Sequence, residues 1–538
     1  MAGPSYLTLP HRDQILVLVI CRLIEPLAYT SISPYLYYLV EWFGYKSPAT
    51  ITALGTIVVS GFALGQAATG MYWGSLSDRI GRKPVIMFGL IGTAVATLIF
   101  GFATDVYVAT GARLLAGTLN GNVGVMRTMI AELCVGHKEY QSRAFTVMPI
   151  TFNIGTILGP VVGGMLADPA TAYPNSWIGK VALFKKFPYL LPNIFPMPLL
   201  AVAMVICMLF LKETQTGPDV WWPPEYDPGL RLGNWLRGKS TSYSSYTMVS
   251  STEEDEDSLL EEEEEEIADA YVSNNNTTET STMSIVEPTN HSEPEFGLRD
   301  ILTRPVAVTI TCYTLLMFHC PAFLQMLPLY MATPRVISNT SLNEHLPLVF
   351  DGGLGMPESR IGAAIALMGM TGIILQFAAY PRIAAAIGNA RAHRVSLYIF
   401  PIAYVLAPFT TLLTRKGYSG STQDSRWTTV AAIVPIAMAA ILGRTLAIPP
   451  MPVLLTNAAT ESHRERAMGK IHGLAASVTS VAKCMGPFVL GNLYSWGVHI
   501  GIVGLAWWIM AGVVIAEIFV ASGLREWGEE EEEDDHES

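Results

Sequence analysis

The chain has 538 residues, of which 51% are hydrophobic and only 14% charged, against roughly 25% charge in soluble domains; a single soluble core is excluded. Its net charge of −12 comes largely from two acidic runs, SSTEEDEDSLLEEEEEE (250–266) and EEEEEDDHES (529–538). Such runs self-repel and build no core, and no basic face for a nucleic acid exists.

Apolar windows follow in order near 14–40, 50–72, 84–103, 106–128, 145–167 and 189–211, then near 306–333, 361–380, 395–414, 428–455, 468–493 and 499–522. Each approaches the roughly 20 residues that cross a bilayer. Backbone in lipid must satisfy itself internally, so these windows predict helices. The expected fold is all-α and integral to the membrane: twelve transmembrane helices in two six-helix bundles, 14–212 and 299–522. A cytosolic N-terminus (1–13), a disordered acidic cytosolic linker (213–298) and an acidic cytosolic tail (523–538) complete the expected organisation. The first span is expected to act as its own insertion signal.

An even count puts both termini on one side. Arg79, Arg82, Lys83, Lys138, Arg143, Arg382, Arg391, Arg394, Arg464, Arg466 and Lys470 fall in short loops on that side, so it is expected to be cytosolic. Asn339 heads a glycosylation sequon in an opposite-side loop; sequons at Asn275, Asn276 and Asn290 fall in the linker, which weakens the signal. The halves look related: RAFTVMPITFNIGTILGPVVGG (143–164) lies over RAMGKIHGLAASVTSVAKCMGPFVLG (466–491) with a small insertion. Two repeats predict a rocking transporter with its site between them.

The loop between the second and third spans reads Gly74-x3-Asp78-Arg79-x-Gly81-Arg82-Lys83. Its glycines permit a tight turn, and Asp78 can pair with an arginine or face a helix N-terminus. This string resembles the signature loop of the major facilitator superfamily, and the resemblance implies a cytosolic gate latching the two halves. The second-half equivalent, YPRIAAAIGNAR (380–391), keeps Gly388 but has Ala385 where Asp78 aligns. In the fifth span, Gly155, Gly159 and Gly163 recur every fourth residue and make a smooth stripe for close helix packing, with Pro160 and Gly164 beside them. Generic packing explains the stripe alone. The fuller pattern resembles the motif of drug:proton antiporters in that superfamily, which implies export.

Charged residues at membrane depth usually face a cavity or a partner. Glu25 lies on the order of 16 Å into the first span and Arg113 on the order of 11–12 Å into the fourth from the other side, so both are expected at similar depth, lining one cavity. Burial works against the ionised form of Glu25 and a nearby arginine for it, which suits a proton carrier; the competing reading is a static pair with Arg22 or Arg113. Arg113 with Gly117 also resembles the superfamily's fourth-span Arg-x-x-x-Gly motif, implying proton coupling for that arginine. Arg444 and Lys483 are cavity candidates in the second half, Lys483 as an anion contact or a fixed counter-charge. His319 is either a proton relay or a hydrogen-bonded core histidine. Pro26, Pro34, Pro321 and Pro328 are expected to interrupt the first and seventh spans, pointing to a binding site. Tyr29, Tyr35, Tyr38, Phe318, Phe323 and Gln325 stand around them, a wall suited to a flat or amphipathic organic substrate.

No catalytic constellation, Walker pattern or metal-ligand spacing is present, and neither enzyme activity nor a cofactor is expected. Six cysteines without CxxC or Cys/His ligand spacing predict packing. LADPATAYP (166–174), FPYLLPN (187–193) and CRLIEPLAYTSISPYLYYLV (21–40) resemble fungal multidrug-type members related to zinc-induced facilitators. The expected function is proton-coupled efflux of a small organic molecule, a drug or secondary metabolite, by a monomer in the lipid bilayer, at the plasma membrane rather than the vacuole. Uptake or uniport of a nutrient or chelate, and a non-transporting sensor, stand as alternatives.

Overall fold

The computed structural model describes residues 11–134, 138–215, 219–223, 226–237, 302–334, 347–413, 424–461 and 468–524. The first six spans are Arg12–Thr30 with Leu36–Trp42, Pro48–Ile80, Arg82–Gly101, Val106–Thr118 with Asn122–Leu133, Lys138–Leu166, and Pro196–Phe210. The second six are Arg304–Ala332, Glu358–Ala378, Asn389–Leu397 with Ile399–Leu406, Asp424–Ala447 with Pro450–Glu461, Met468–His499, and Leu505–Ala521. Among the described residues eight spans are long and apolar enough to cross a membrane by length and composition. The first, fourth and twelfth are not, and the fifth is counted only over Ile154–Leu166. The first carries Arg22 and Glu25, the fourth is broken beyond Arg113, and the twelfth has 17 residues including Glu517. The polar groups that weaken the membrane signal build the interior sites.

The fourth span breaks at 119–121, and the second span satisfies the groups this frees. The Thr118 carbonyl accepts from the Trp73 indole N–H at 2.6 Å and the Thr69 hydroxyl at 2.9 Å; the Gln66 amide donates to Asn120 Oδ1 at 3.3 Å. Glycine permits this approach: a Cβ on Gly117 would meet the Phe62 carbonyl oxygen at 2.0 Å, and one on Gly65 the Leu114 carbonyl at 2.4 Å. The first span turns through 31–35, where Pro34 sits, and its helix continues through Pro26. The seventh span, expected to be interrupted, is one helix through both Pro321 and Pro328. Each proline removes one ladder bond, and the surrounding burial from Cys320 to Ala332 holds the helix together.

The side carrying both ends of the described chain is here the terminus face, and the opposite side the far face. Among the described residues both hydrogen bonds joining the two halves lie at the far face: Tyr38 OH donates to the Met356 carbonyl, and Ser495 Oγ to the Ala49 carbonyl at 2.6 Å. Close backbone contacts lie there too. A Cβ on Gly164 would meet the Glu358 carbonyl oxygen at 2.5 Å, and one on Gly362 the Pro160 carbonyl oxygen at 2.5 Å. One buried apolar cluster crosses both halves through Tyr37, Val40, Ile51, Leu329, Met356 and Tyr494. A second, with Leu18, Val85, Met126, Met129 and Leu200, stays within the N-terminal half. Among the described residues, these bonds and close contacts hold the halves together at the far face.

The start of the expected linker is corrected. Residues 213–215, 219–223 and 226–237 are described, and the ends of this stretch pack on the N-terminal bundle. The Glu213 carboxylate accepts the N–H groups of Arg82 at 2.8 Å and Lys83 at 2.9 Å, capping the third span. Gly81, at φ +107°, leaves the room; a Cβ there would meet Glu213 Oε2 at 2.5 Å. Lys83 donates to the Met208 carbonyl at 2.8 Å and pairs, buried, with Asp227. Asp227 in turn caps the helix Pro228–Leu236, accepting from Gly229 at 2.9 Å and Leu230 at 3.1 Å. These buried charges hold the chain in place beyond the sixth span. Residues 238–301, the tail from 525, and Asn339 lie outside the described residues.

Candidate functional site

Glu25 is fully buried and both its carboxylate oxygens accept hydrogen bonds. Arg22 Nη1 donates to Oε2 at 3.0 Å, and the Asn122 amide donates to Oε1. Asn122 opens the second helix of the broken fourth span, and Gly89 gives it space: a Cβ there would sit 2.1 Å from Asn122 Oδ1. Two accepting oxygens are the pattern of an ionised carboxylate.

Arg113 is not paired with Glu25. The close contact of the fourth span with Gly61 and Gly65 lays Arg113 on Phe62, with Cζ 4.9 Å from the ring centroid. Its Nε has no hydrogen-bond partner among the described residues. Tyr29, half-buried, stacks on Phe62 at 5.0 Å and leans on Phe152 at 6.3 Å, while Arg22 lies 5.0 Å over Phe152. The first span thus presents a tyrosine between two phenylalanines, each carrying a guanidinium on its face, an arrangement that stabilises the cations.

The same group meets the other half. Tyr29 lies within electrostatic reach of Arg22, Glu25, Arg113 and, across the cleft, Arg444. Arg127 reaches Arg22 and Tyr313 of the seventh span, and Lys483 of the eleventh span reaches Arg127. Arg127 and Lys483 are solvent-exposed; Arg444, Phe318 and Gln325 are half-buried. Arg22 pairs with Glu25, and Arg113, Arg127, Arg444 and Lys483 extend the cationic group from that pair through Tyr29 and Arg22.

Three expected wall residues leave the cleft. Tyr35 is buried, stacked on Tyr189 at 5.3 Å and accepting from Asn193 at 2.9 Å. Phe323 is buried between Tyr404 and Trp507, and Tyr38 closes the far face. His319 is not a wall residue either. It is fully buried in the C-terminal half, its ring nitrogens 2.9 Å from Tyr404 OH and 3.1 Å from Glu517 Oε2.

In the expected gate loop, Arg82 pairs with Asp78, with Glu132 at 2.8 Å, and donates to Ser77 Oγ at 2.7 Å. Ser77 in turn donates to the Gly74 carbonyl at 2.7 Å, and Arg79 is exposed. All these partners belong to the N-terminal half, so among the described residues this loop makes no bond across the cleft. The glycine motif of the fifth span has two contacts. Gly155, Gly159 and Gly163 lie against the first span, where Cβ atoms would meet Leu23 O at 2.5 Å, Thr30 Oγ1 at 2.0 Å and Ser31 O at 1.8 Å. Gly164 and Pro160 lie against the eighth span of the other half.

The model of the Major Facilitator Superfamily family matches residues 18–342. The chain belongs to the major facilitator superfamily. It is 34% identical over 510 residues to the major facilitator superfamily multidrug transporter mfsB of Aspergillus fumigatus, covering 92% of this chain and 80% of that one. It is 25% identical to the protein zinc induced facilitator 1 of Arabidopsis thaliana, covering 87% and 81%. Among solved structures, the peptide transporter POT in complex with sulfate aligns at a TM-score of 0.57 and 13% identity, covering 96% and 98%. The fold is that of a multi-pass membrane transporter in two six-helix halves.

For a member of this superfamily, the residues the sequence reading missed are instructive. Asn122 and Arg127 sit in the polar string TLNGNVGVMR, whose interruption of an apolar window is itself a signal. Glu517 is the lone acid of AWWIMAGVVIAEIFVA, and His393 follows a cytosolic-looking loop. A single acid in an apolar span marks an interior site; its partners, 198 and 124 residues away in sequence, are visible only in the fold.

Proposed function

We propose that this transporter exports small, flat organic molecules bearing an anionic group, in exchange for protons. The observation that carries this reading is the group's charge: Glu25 is paired with Arg22 beside the Tyr29 wall, and Arg113, Arg127, Arg444 and Lys483 extend the positive charge from there. An anion entering the cleft would be held by Arg127 and Lys483, with its ring on Tyr29. Glu25 is the proton carrier. While ionised it is held by Arg22 and Asn122 in the far-face-closed arrangement; the neutral form lacks that stabilisation, so Glu25 takes up a proton when the far face is open and releases it when closure of that face restores the pair. The basic loops support a cytosolic terminus face; in this reading substrate enters from the cytosol and leaves outward. Drug-like compounds and secondary metabolites are the substrate class, and the names of the relatives support efflux. The protein acts as a monomer in the plasma membrane, its substrate and protons being its partners.

The test is flux of two dyes of similar ring size and opposite charge, fluorescein and a rhodamine cation, in proteoliposomes under an imposed proton gradient. Fluorescein should move and a protonophore should stop it. Movement of the rhodamine with exclusion of fluorescein would overturn the substrate class, and flux indifferent to the protonophore would overturn the coupling.

A further inference from the structure

The C-terminal bundle contains a second buried acid–base group, in which the placement of hydrogens can be counted. Glu517 of the twelfth span, His319 of the seventh and His393 of the ninth are all fully buried. His319 Nε2 lies 3.1 Å from Glu517 Oε2, and its Nδ1 lies 2.9 Å from Tyr404 OH. The other carboxylate oxygen, Oε1, faces His393 Nε2 at 3.7 Å. Neither of those two atoms has a hydrogen-bond partner among the described residues.

The tautomer of His393 follows from the tenth span. That span breaks at 448–449, because Pro449 and Pro450 have no N–H to give. The Ala447 carbonyl is left free and lies 3.1 Å from His393 Nδ1. A carbonyl only accepts, so Nδ1 carries the hydrogen. In neutral His393, Nε2 is then a bare lone pair aimed at a carboxylate oxygen. Two acceptors face each other in a sealed site, an arrangement that costs free energy. One added hydrogen, on either atom, turns it into a hydrogen bond. The count is the same whichever way the His319 ring is protonated.

We propose that Glu517 and His393 together bind one exchangeable proton, forming a second proton site independent of Glu25. The step is a plain protonation: water at the terminus face delivers a proton, an O–H or N–H bond forms between Oε1 and Nε2, and release reverses it. His393 lies one turn from the start of the ninth-span helix at that face; the site is sealed in this arrangement, so exchange requires that end of the bundle to open. No three His, Cys, Asp or Glu side chains among the described residues are placed to hold a metal ion, so the proton is the ligand that fits. The groups facing the site are His319, Cys312 and Cys320 from the seventh span, Tyr404 and Arg394 from the ninth, and Arg444 from the tenth, with Cys320, Tyr404 and Arg444 linking it to the cleft.

The experiment is potentiometric proton uptake by the full chain in lipid nanodiscs between roughly pH 5 and 8. Glu517→Gln, whose amide can donate to His393 Nε2 without a proton, should take up one proton fewer per chain than the unaltered protein. His393→Gln should lose that same proton, and the double variant no more than either single one. Glu25→Gln should keep it. Uptake by Glu517→Gln equal to the unaltered chain, or loss of two protons in the double variant, would overturn the proposal. If neither variant folds, nitrogen-labelled histidine spectra of the unaltered chain decide: the His393 Nε2 resonance should move with pH, as its lone pair gains a proton or accepts one from Glu517, and a resonance unchanged throughout overturns the shared proton.

Discussion

Arg22 and Glu25 form a buried pair one helical turn apart, with Arg22 Nη1 3.0 Å from Glu25 Oε2, and Asn122 holds the second oxygen. Removing one member of a buried pair strands the other, at a cost of about 3–5 kcal/mol. Arg22→Ala should therefore destabilise the protein by about that amount in denaturant unfolding, and Arg22→Ala with Glu25→Gln should recover most of it. Equal loss in the single and double variants would show that Arg22 acts through packing on Phe152 alone.

Lys483 and Arg127 are the exposed cations of the group. Replacing either with alanine should reduce the apparent affinity for fluorescein roughly tenfold, equivalent to about 1.4 kcal/mol, with no comparable effect on unfolding. Dye transport measured against concentration separates this from a loss of folded protein.

The two contacts of the fifth-span motif should separate under mutation. Gly163→Ala forces a Cβ to within 1.8 Å of the Ser31 carbonyl oxygen; overpacking of this kind costs about 1–3 kcal/mol and should lower the melting point. Gly164→Ala instead presses on Glu358 of the other half and should open the far face, read as faster labelling of a cysteine placed at Tyr38. Gly124, with nothing within 4 Å of its Cβ, is the control that should change neither.

Glu213, outside the membrane, carries a pH dependence. Burial raises its carboxyl above the ordinary value of 4.5, and backbone N–H groups from Gln215, Arg82, Lys83 and Thr214 offset only part of that. A carboxyl whose folded pKa exceeds its unfolded one contributes stability that is complete below the unfolded pKa and is lost as pH rises through the folded one. The melting point of Glu213→Gln relative to the unaltered chain should therefore rise as pH increases upward from about 4.5. A difference that stays constant or falls over that range contradicts this.

Hydropathy made the twelve spans and their six-plus-six division legible, because lipid leaves helices as the main solution. The glycine stripe was legible as a packing surface, since a period of four has one geometric meaning on a helix. Which neighbour each glycine meets was not: Gly163 and Gly164 are adjacent in sequence and touch different halves. The site was half legible. Glu25 stood out as a charge in lipid, yet its partner from the fourth span is Asn122 rather than Arg113, because the break at 119–121 rotates one helix segment relative to the other. His319 was readable as a buried histidine, but not its bond to Glu517, a contact 198 residues distant in sequence.

Movement of the two halves in response to the charge state of Glu25 can be measured directly with spin-label pairs in nanodiscs, one at the terminus face (Arg79→Cys with Ala385→Cys) and one at the far face (Lys46→Cys with Leu348→Cys). Glu25→Gln removes the charge that Arg22 and Asn122 satisfy in the far-face-closed arrangement. It should shorten the 79–385 distance and lengthen the 46–348 distance together. Distance distributions unchanged at both faces, or moving in the same direction, would contradict a transporter whose halves rock about a cleft under the control of this carboxylate.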